Sequence, residues 1–157
     1  MELSVLQRRT LSDIPSASGI EVVGNSLYVI GDDSPFLFRL NEKFEVEEKI
    51  LISDIPTGGE GKISKQQKSD LEAMALFVRD KNKYLLLFGS GSKSPQRDVL
   101  LQIDISKRTT IKKYILPQFY DNLCAAAKIS RAELNLEAAA VIEKDLFLFN
   151  RGKNKIF

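Results

Sequence analysis

One segment pattern occurs three times along the 157 residues, and it limits the fold more than any other feature. The copies are SGIEVVGNSLYVIGDD (18–33), SDLEAMALFVRDKNKYLLLFGSGS (69–92) and LNLEAAAVIEKDLFLFNRG (134–152). Each runs from a polar or small residue through an aliphatic residue to Glu, then through a short apolar run, a polar turn and a second apolar run containing an aromatic. Each ends in a small polar loop. The intervals between Glu21, Glu72 and Glu137 are about 50 and about 65 residues, and a period near 50 belongs to the blades of β-propellers.

The runs between the turns read as strands. Val22-Val23 and Leu27-Tyr28-Val29-Ile30 flank Gly24-Asn25, a tight-turn pair. Phe36 to Leu40 is a third strand, and EVEEKILI (45–52) a more polar fourth. The second copy repeats this order at 71–78, 83–88, 98–105 and 109–116, with Val99, Leu101, Ile103 and Ile105 at alternate positions. The third has strands near 136–142 and 145–150. The longer second interval is explained by PQFYDNLCAAAKI (117–129), an inserted helix. Pro117 suits its first turn, and Ala125, Ala126 and Ala127 favour its interior. Phe119, Leu123, Cys124 and Ala127 form its buried side. Ser130 and Glu133 have capping-box spacing for one further turn.

The expected fold class is therefore all-β: propeller-like repeats of four-stranded antiparallel blades, about two and a half of them, with one inserted helix. The chain divides into a blade (18–52), a Gly- and Lys-rich loop (53–69) expected to be mobile, a blade (70–116), a helical insertion (117–133) and a partial blade (134–157). Two and a half blades do not close a ring of at least four. The chain is then part of a longer propeller, completes the ring by self-association through open blade edges, or forms an open sandwich. The first is favoured, because the third copy stops after inner strands that need outer partners.

Composition removes several function classes. There is no His, which excludes Ser-His and Cys-His nucleophile systems and the usual zinc ligands. Cys124 is the sole cysteine and lies in an apolar stretch, so it reads as a small buried hydrophobe and forms no internal disulfide. The net charge of +2 does not point to nucleic acid. The basic groups Lys107, Arg108, Lys112, Lys113 and Arg151, Lys153, Lys155, like the acidic group Glu42, Glu45, Glu47, Glu48, read as solvated faces. No stretch of about 18 apolar residues exists to cross a membrane. The N-terminus lacks the apolar core of a secretory signal, which makes the cytoplasm the expected location.

The repeated acid is the first candidate site. Glu21, Glu72 and Glu137 start the strand that would line a central channel, which would bring three carboxylates to one mouth. Such a group raises its own pKa values or recruits a hard cation, Ca²⁺ or Mg²⁺. The alternative is that each Glu accepts backbone N–H bonds or pairs with Arg. The loops after each second strand form a second candidate. Asp32 and Asp33 add carboxylates, and Arg151 and Arg97 add forks for a carboxylate or phosphate. Ser90 and Ser92 read as turn formers. GSGSKS (89–94) and TGGEGK (57–62) resemble phosphate loops but miss the required spacing.

SGIE (18–21), DLEA (70–73) and NLEA (135–138), together with LYVIGDDSPFLFRL, LFGSGSKSPQR and LFLFNRG, resemble the blade starts of phytase-like and esterase-like β-propellers, most closely a bacterial branch of unassigned function. The resemblance covers 18–52 and 69–157. It implies a five- or six-bladed propeller of roughly twice this length. It also implies an acidic rim holding Ca²⁺ or a phosphoester, carried by Glu21, Glu72 and Glu137 and by Asp32 and Arg151. The expected function is a propeller module that binds a small ligand or a protein, or that scaffolds. The alternative is a Ca²⁺-dependent phosphoester or ester hydrolase of phytase-like type.

Overall fold

The structure is a computed structural model that describes every residue except 1–3, 5–7, 9, 60, 107, 108, 153 and 154, together with the side chain of Lys155. Lys107, Arg108 and Lys153 of the basic groups thus lie outside the described residues.

Among the described residues, alternating apolar residues and short polar turns produce three separate antiparallel sheets. The first is β1 (Ala17–Val23), β2 (Ser26–Gly31), β3 (Phe36–Leu40) and β4 (Val46–Leu51), paired in chain order. The second is β5 (Leu71–Arg79), β6 (Asn82–Gly89), β7 (Val99–Asp104) and β8 (Thr110–Ile115), again in chain order. The third is β9 (Leu136–Ile142), β10 (Asp145–Asn150) and β11 (Lys155–Ile156), with β10 in the middle. The sheets approach one another through their first strands: β1 lies beside β5, and β5 beside β9.

Successive strand residues point to opposite faces, so each sheet offers one face forward along the chain and one back. Tyr28 and Ile30 face the second sheet, where they meet Leu85, Leu87, Leu101 and Ile103. Leu86 and Phe88 face the third sheet. Val29, on the back face of the first sheet, packs with Phe38 and Leu40 under Leu11 and Ile14 of the N-terminal segment. Full burial of each such Leu or Ile contributes roughly 1.5–3 kcal/mol.

One helix, α1 (Pro117–Ala127), fills the space between the second and third sheets. Pro117 sits in its first turn, and the chain leaves through Lys128, whose φ of 55° is left-handed. The Lys128 and Ile129 N–H groups close the helix by donating to the Ala125 and Cys124 carbonyls. The expected buried side is present, with Phe119, Leu123, Cys124 and Ala127 in the core with Phe88, Leu136 and Leu148. The expected capping box is also present in the 3₁₀ turn Arg131–Glu133, where Ser130 and Glu133 exchange hydrogen bonds. Tyr120 is the addition: fully buried, it donates its hydroxyl toward the Gly89 and Val99 carbonyls and binds helix to sheet.

Residues 53–69, the loop expected to be mobile, make contacts with the sheets at several described positions. Ile63 is buried, bridges Thr57, and donates its N–H to the Asp33 carbonyl. Gln96 holds the end of the segment through the Gln66 and Lys68 carbonyls. Its polar composition hid this docking. Among the described residues no helix is long and apolar enough to cross a membrane.

Candidate functional site

Each first strand begins with one irregularity in its pairing, and this sets the site. Ala17 pairs Gly31 and Gly19 pairs Ile30, which leaves Ser18 between them. Leu71 pairs Gly89 and Ala73 pairs Phe88, which leaves Glu72. Leu136 pairs Asn150 and Ala138 pairs Phe149, which leaves Glu137. Ser18, Glu72 and Glu137 are thus the equivalent bulged residues. The expectation that Glu21 stands over Glu72 is corrected: Glu21 pairs Tyr28 and corresponds to Ala75, which pairs Leu86.

The three loops after the second strands are anchored in the same way. The N–H groups of Asp32, Ser90 and Arg151 donate to the carbonyls of Ser16, Asp70 and Asn135, at 3.2, 2.9 and 2.9 Å. Ser16 and Asp70 adopt left-handed backbone, φ 47° and 54°, a conformation that short polar residues tolerate.

Asp70 is the centre of the site. It is 5% exposed. Its Oδ2 accepts from Ser90 Oγ at 2.7 Å and from Arg97 Nη1 at 2.6 Å. Its Oδ1 lies 2.7 Å from Lys68 Nζ. Lys68 also pairs with Asp32. Arg97 donates to Ser92 Oγ at 2.8 Å, and Ser92 shares a hydrogen bond with Ser90. The two serines read as turn formers therefore belong to this network. Among the described residues, Asp32 Oδ1 and Arg97 Nε are buried without a hydrogen-bond partner.

Glu72 stands beside these groups with no hydrogen bond or ion pair among the described residues. Its carboxyl is pushed up to about 7, first by burial and then by the negative charges of Asp70, Asp32 and Glu137, with Lys68 opposing. Carboxylate oxygens of Asp32, Asp70 and Glu72 lie within 4.8 Å of one another, a grouping that could hold a metal ion. Together with Lys65, Ser92, Arg97, Asn135 and Arg151 these residues line an open cavity of about 400 Å³.

The other expected residues fall differently. Glu137 pairs with Arg151 at 3.2 Å and accepts from the Asn135 side chain. Arg151 is 72% exposed, so that pair is a weak surface contact. Asp33 turns away, accepting from Ser16 Oγ at 3.1 Å. Glu21 accepts the Leu76 N–H at 3.1 Å and borders another depression, lined by Leu76, Val78 and Ala139 to Val141. The carboxylates brought within 4.8 Å of one another are thus Asp32, Asp70 and Glu72, rather than the expected group Glu21, Glu72 and Glu137. Burial raises the pKa of Cys124, in keeping with its core position.

A family of unknown function, DUF6929, matches residues 13–157, from the segment that covers the first sheet to the end of the third. The chain belongs to this DUF6929 family. The DUF6929 match includes every residue of the cavity. No curated protein matches the chain.

Proposed function

We propose that this DUF6929 chain is a ligand-binding module of propeller type that takes a small polar ligand in the cavity around Asp70. The observation carrying this reading is a set of unmet groups of both kinds in one place. Asp32 Oδ1 lacks a donor, Arg97 Nε lacks an acceptor, and the Glu72 carboxyl is unpaired. Buried polar groups without partners are costly, and a ligand carrying both donors and acceptors would satisfy them together. Hydroxyl-rich molecules and amino acids have that chemistry. The three successive meanders, joined through their first strands, support the propeller architecture.

A second reading has the same cavity hold Ca²⁺, as in a phytase-like hydrolase, and the acidic grouping favours it. The donor set fits a hard cation only in part. The Lys68 ammonium already bonds Asp32 and Asp70, and Arg97 bonds Asp70. A bound Ca²⁺ would need Lys68 to withdraw, after which three carboxylates would face the ion.

Thermal denaturation against polyols, amino acids and CaCl₂ tests both. A ligand at a hundred times its dissociation constant stabilises the fold by about 2.7 kcal/mol. The polar-ligand reading expects a shift with an organic probe that Asp32→Asn and Arg97→Met abolish. A shift with CaCl₂ alone would replace it with the cation reading, and no shift with any probe would remove both.

A further inference from the structure

The repeat leaves two apolar sheet faces that have counterparts inside the molecule. Ile30 and Phe88 stand at equivalent positions opposite the bulge and face the next sheet; Tyr28 and Leu86 do the same two residues earlier. Their equivalents in β10 are Phe149 and Phe147, which pair Ala138 and Ala140. Leu148, between them, points back into the core with α1. Strand alternation therefore turns Phe147 and Phe149 forward, with Ile142, which is 59% exposed.

The opposite end shows the matching half. Met74 and Leu76 point back from β5 and pack against the first sheet. Gly19 lies where Met74 arrives: a Cβ there would stand 3.5 Å from that of Met74 and 3.0 Å from Ile30 Cγ1. Their equivalents in β1 are Ile20 and Val22, which pair Val29 and Leu27. Leu11 and Ile14 cover the outer part of that face, but Ile20 is 60% exposed and Val22 59%. Contiguous exposed apolar surface of this kind marks an interface.

We infer that two copies of this chain associate head to tail, the Ile20–Val22 face of each packing on the Phe147–Phe149 face of the other. The contact repeats the one already made between the first and second sheets. Ile20 takes the place of Met74, and Ala138 and Phe149 take the places of Gly19 and Ile30. A contact between two different faces propagates unless rotation closes it. Two copies bring six meanders, within the four to eight that closed rings contain.

Sedimentation equilibrium of the chain at tens of micromolar tests this. The expected mass is twice that of the 17.6 kDa chain. Val22→Asp and Ile142→Asp alter exposed side chains, so both variants should keep the wild-type circular dichroism. Each should weaken the dimer by roughly a hundredfold, because an unpaired charge enters an apolar contact. Mixing the two variants should restore a dimer with one intact contact, since each contributes its unaltered face. A monomeric wild type, open polymers, or a dimer indifferent to both substitutions would overturn the inference. A monomer would also leave these faces to a different protein segment.

Discussion

Lys68 Nζ lies 2.7 Å from Asp70 Oδ1, and the same ammonium pairs with Asp32. A side chain from the connecting segment thus joins the loop after β2 to the start of β5. Attraction between such charges is strong where water is scarce, and removing one partner exposes the desolvation cost of the other.

Lys68→Met should therefore destabilise the fold by about 3 kcal/mol, measured by urea denaturation. It should also create cation affinity where the wild type has little, because Asp32, Asp70 and Glu72 lose their resident positive charge. CaCl₂ at millimolar concentration should raise the midpoint of Lys68→Met more than that of the wild type. Equal shifts would show that Lys68 does not occupy the cation position.

Glu72 supplies a pH dependence. Its folded pKa of about 7 lies above the ordinary 4.5, so between these values the folded chain binds more protons than the unfolded one. Stability should then fall as pH rises from about 4.5 to 7 and level off above. With allowance for solvent screening, the loss is on the order of 1–2 kcal/mol. Glu72→Gln should flatten this limb and be the more stable protein at pH 8. Denaturation curves from pH 4.5 to 8.5 provide the measurement, and parallel profiles for the two proteins would contradict it.

Tyr120 fixes α1 to the second sheet. Tyr120→Phe should cost about 1–2 kcal/mol, since the Gly89 and Val99 carbonyls lose a buried donor. Gly91→Ala should cost more. Gly91 has φ 71°, and a Cβ there would stand 2.4 Å from Tyr120 Cδ1 and 2.8 Å from Leu134. Both values follow from thermal denaturation with calorimetry.

The strands and the helix were legible because they depend on local signals: alternation, turn residues, Pro117 and the alanine run. The bulges were not. No side chain announces a bulge, and alignment on the repeated Glu matched Glu72 to Glu21, three residues beyond its true counterpart, Ser18. Asp70 was within reach. Asp70 and Asn135 occupy the same place, two residues before Glu72 and Glu137, and both are types that suit irregular backbone. Lys68 was not, because only the docking of Ile63 and the grip of Gln96 bring its segment back to the sheets.

Just after the bulge, the first strands carry small residues on their forward faces: Gly19, then Ala73 and Ala75, then Ala138 and Ala140. Further out, the same gaps hold Tyr28 and Ile30 between the first two sheets, and Phe88 with the apolar side of α1 between the second and third. Each sheet therefore meets the next as a wedge, thin at its inner edge and thick at its outer one. The ratio of side-chain volume between those edges sets an angular pitch from one sheet to the next, and in the ring proposed for two copies that pitch would set how many sheets complete a turn. Enlarging Ala73 or Ala75 would make the wedge blunter, so these methyl groups gauge the angle between the second sheet and the third.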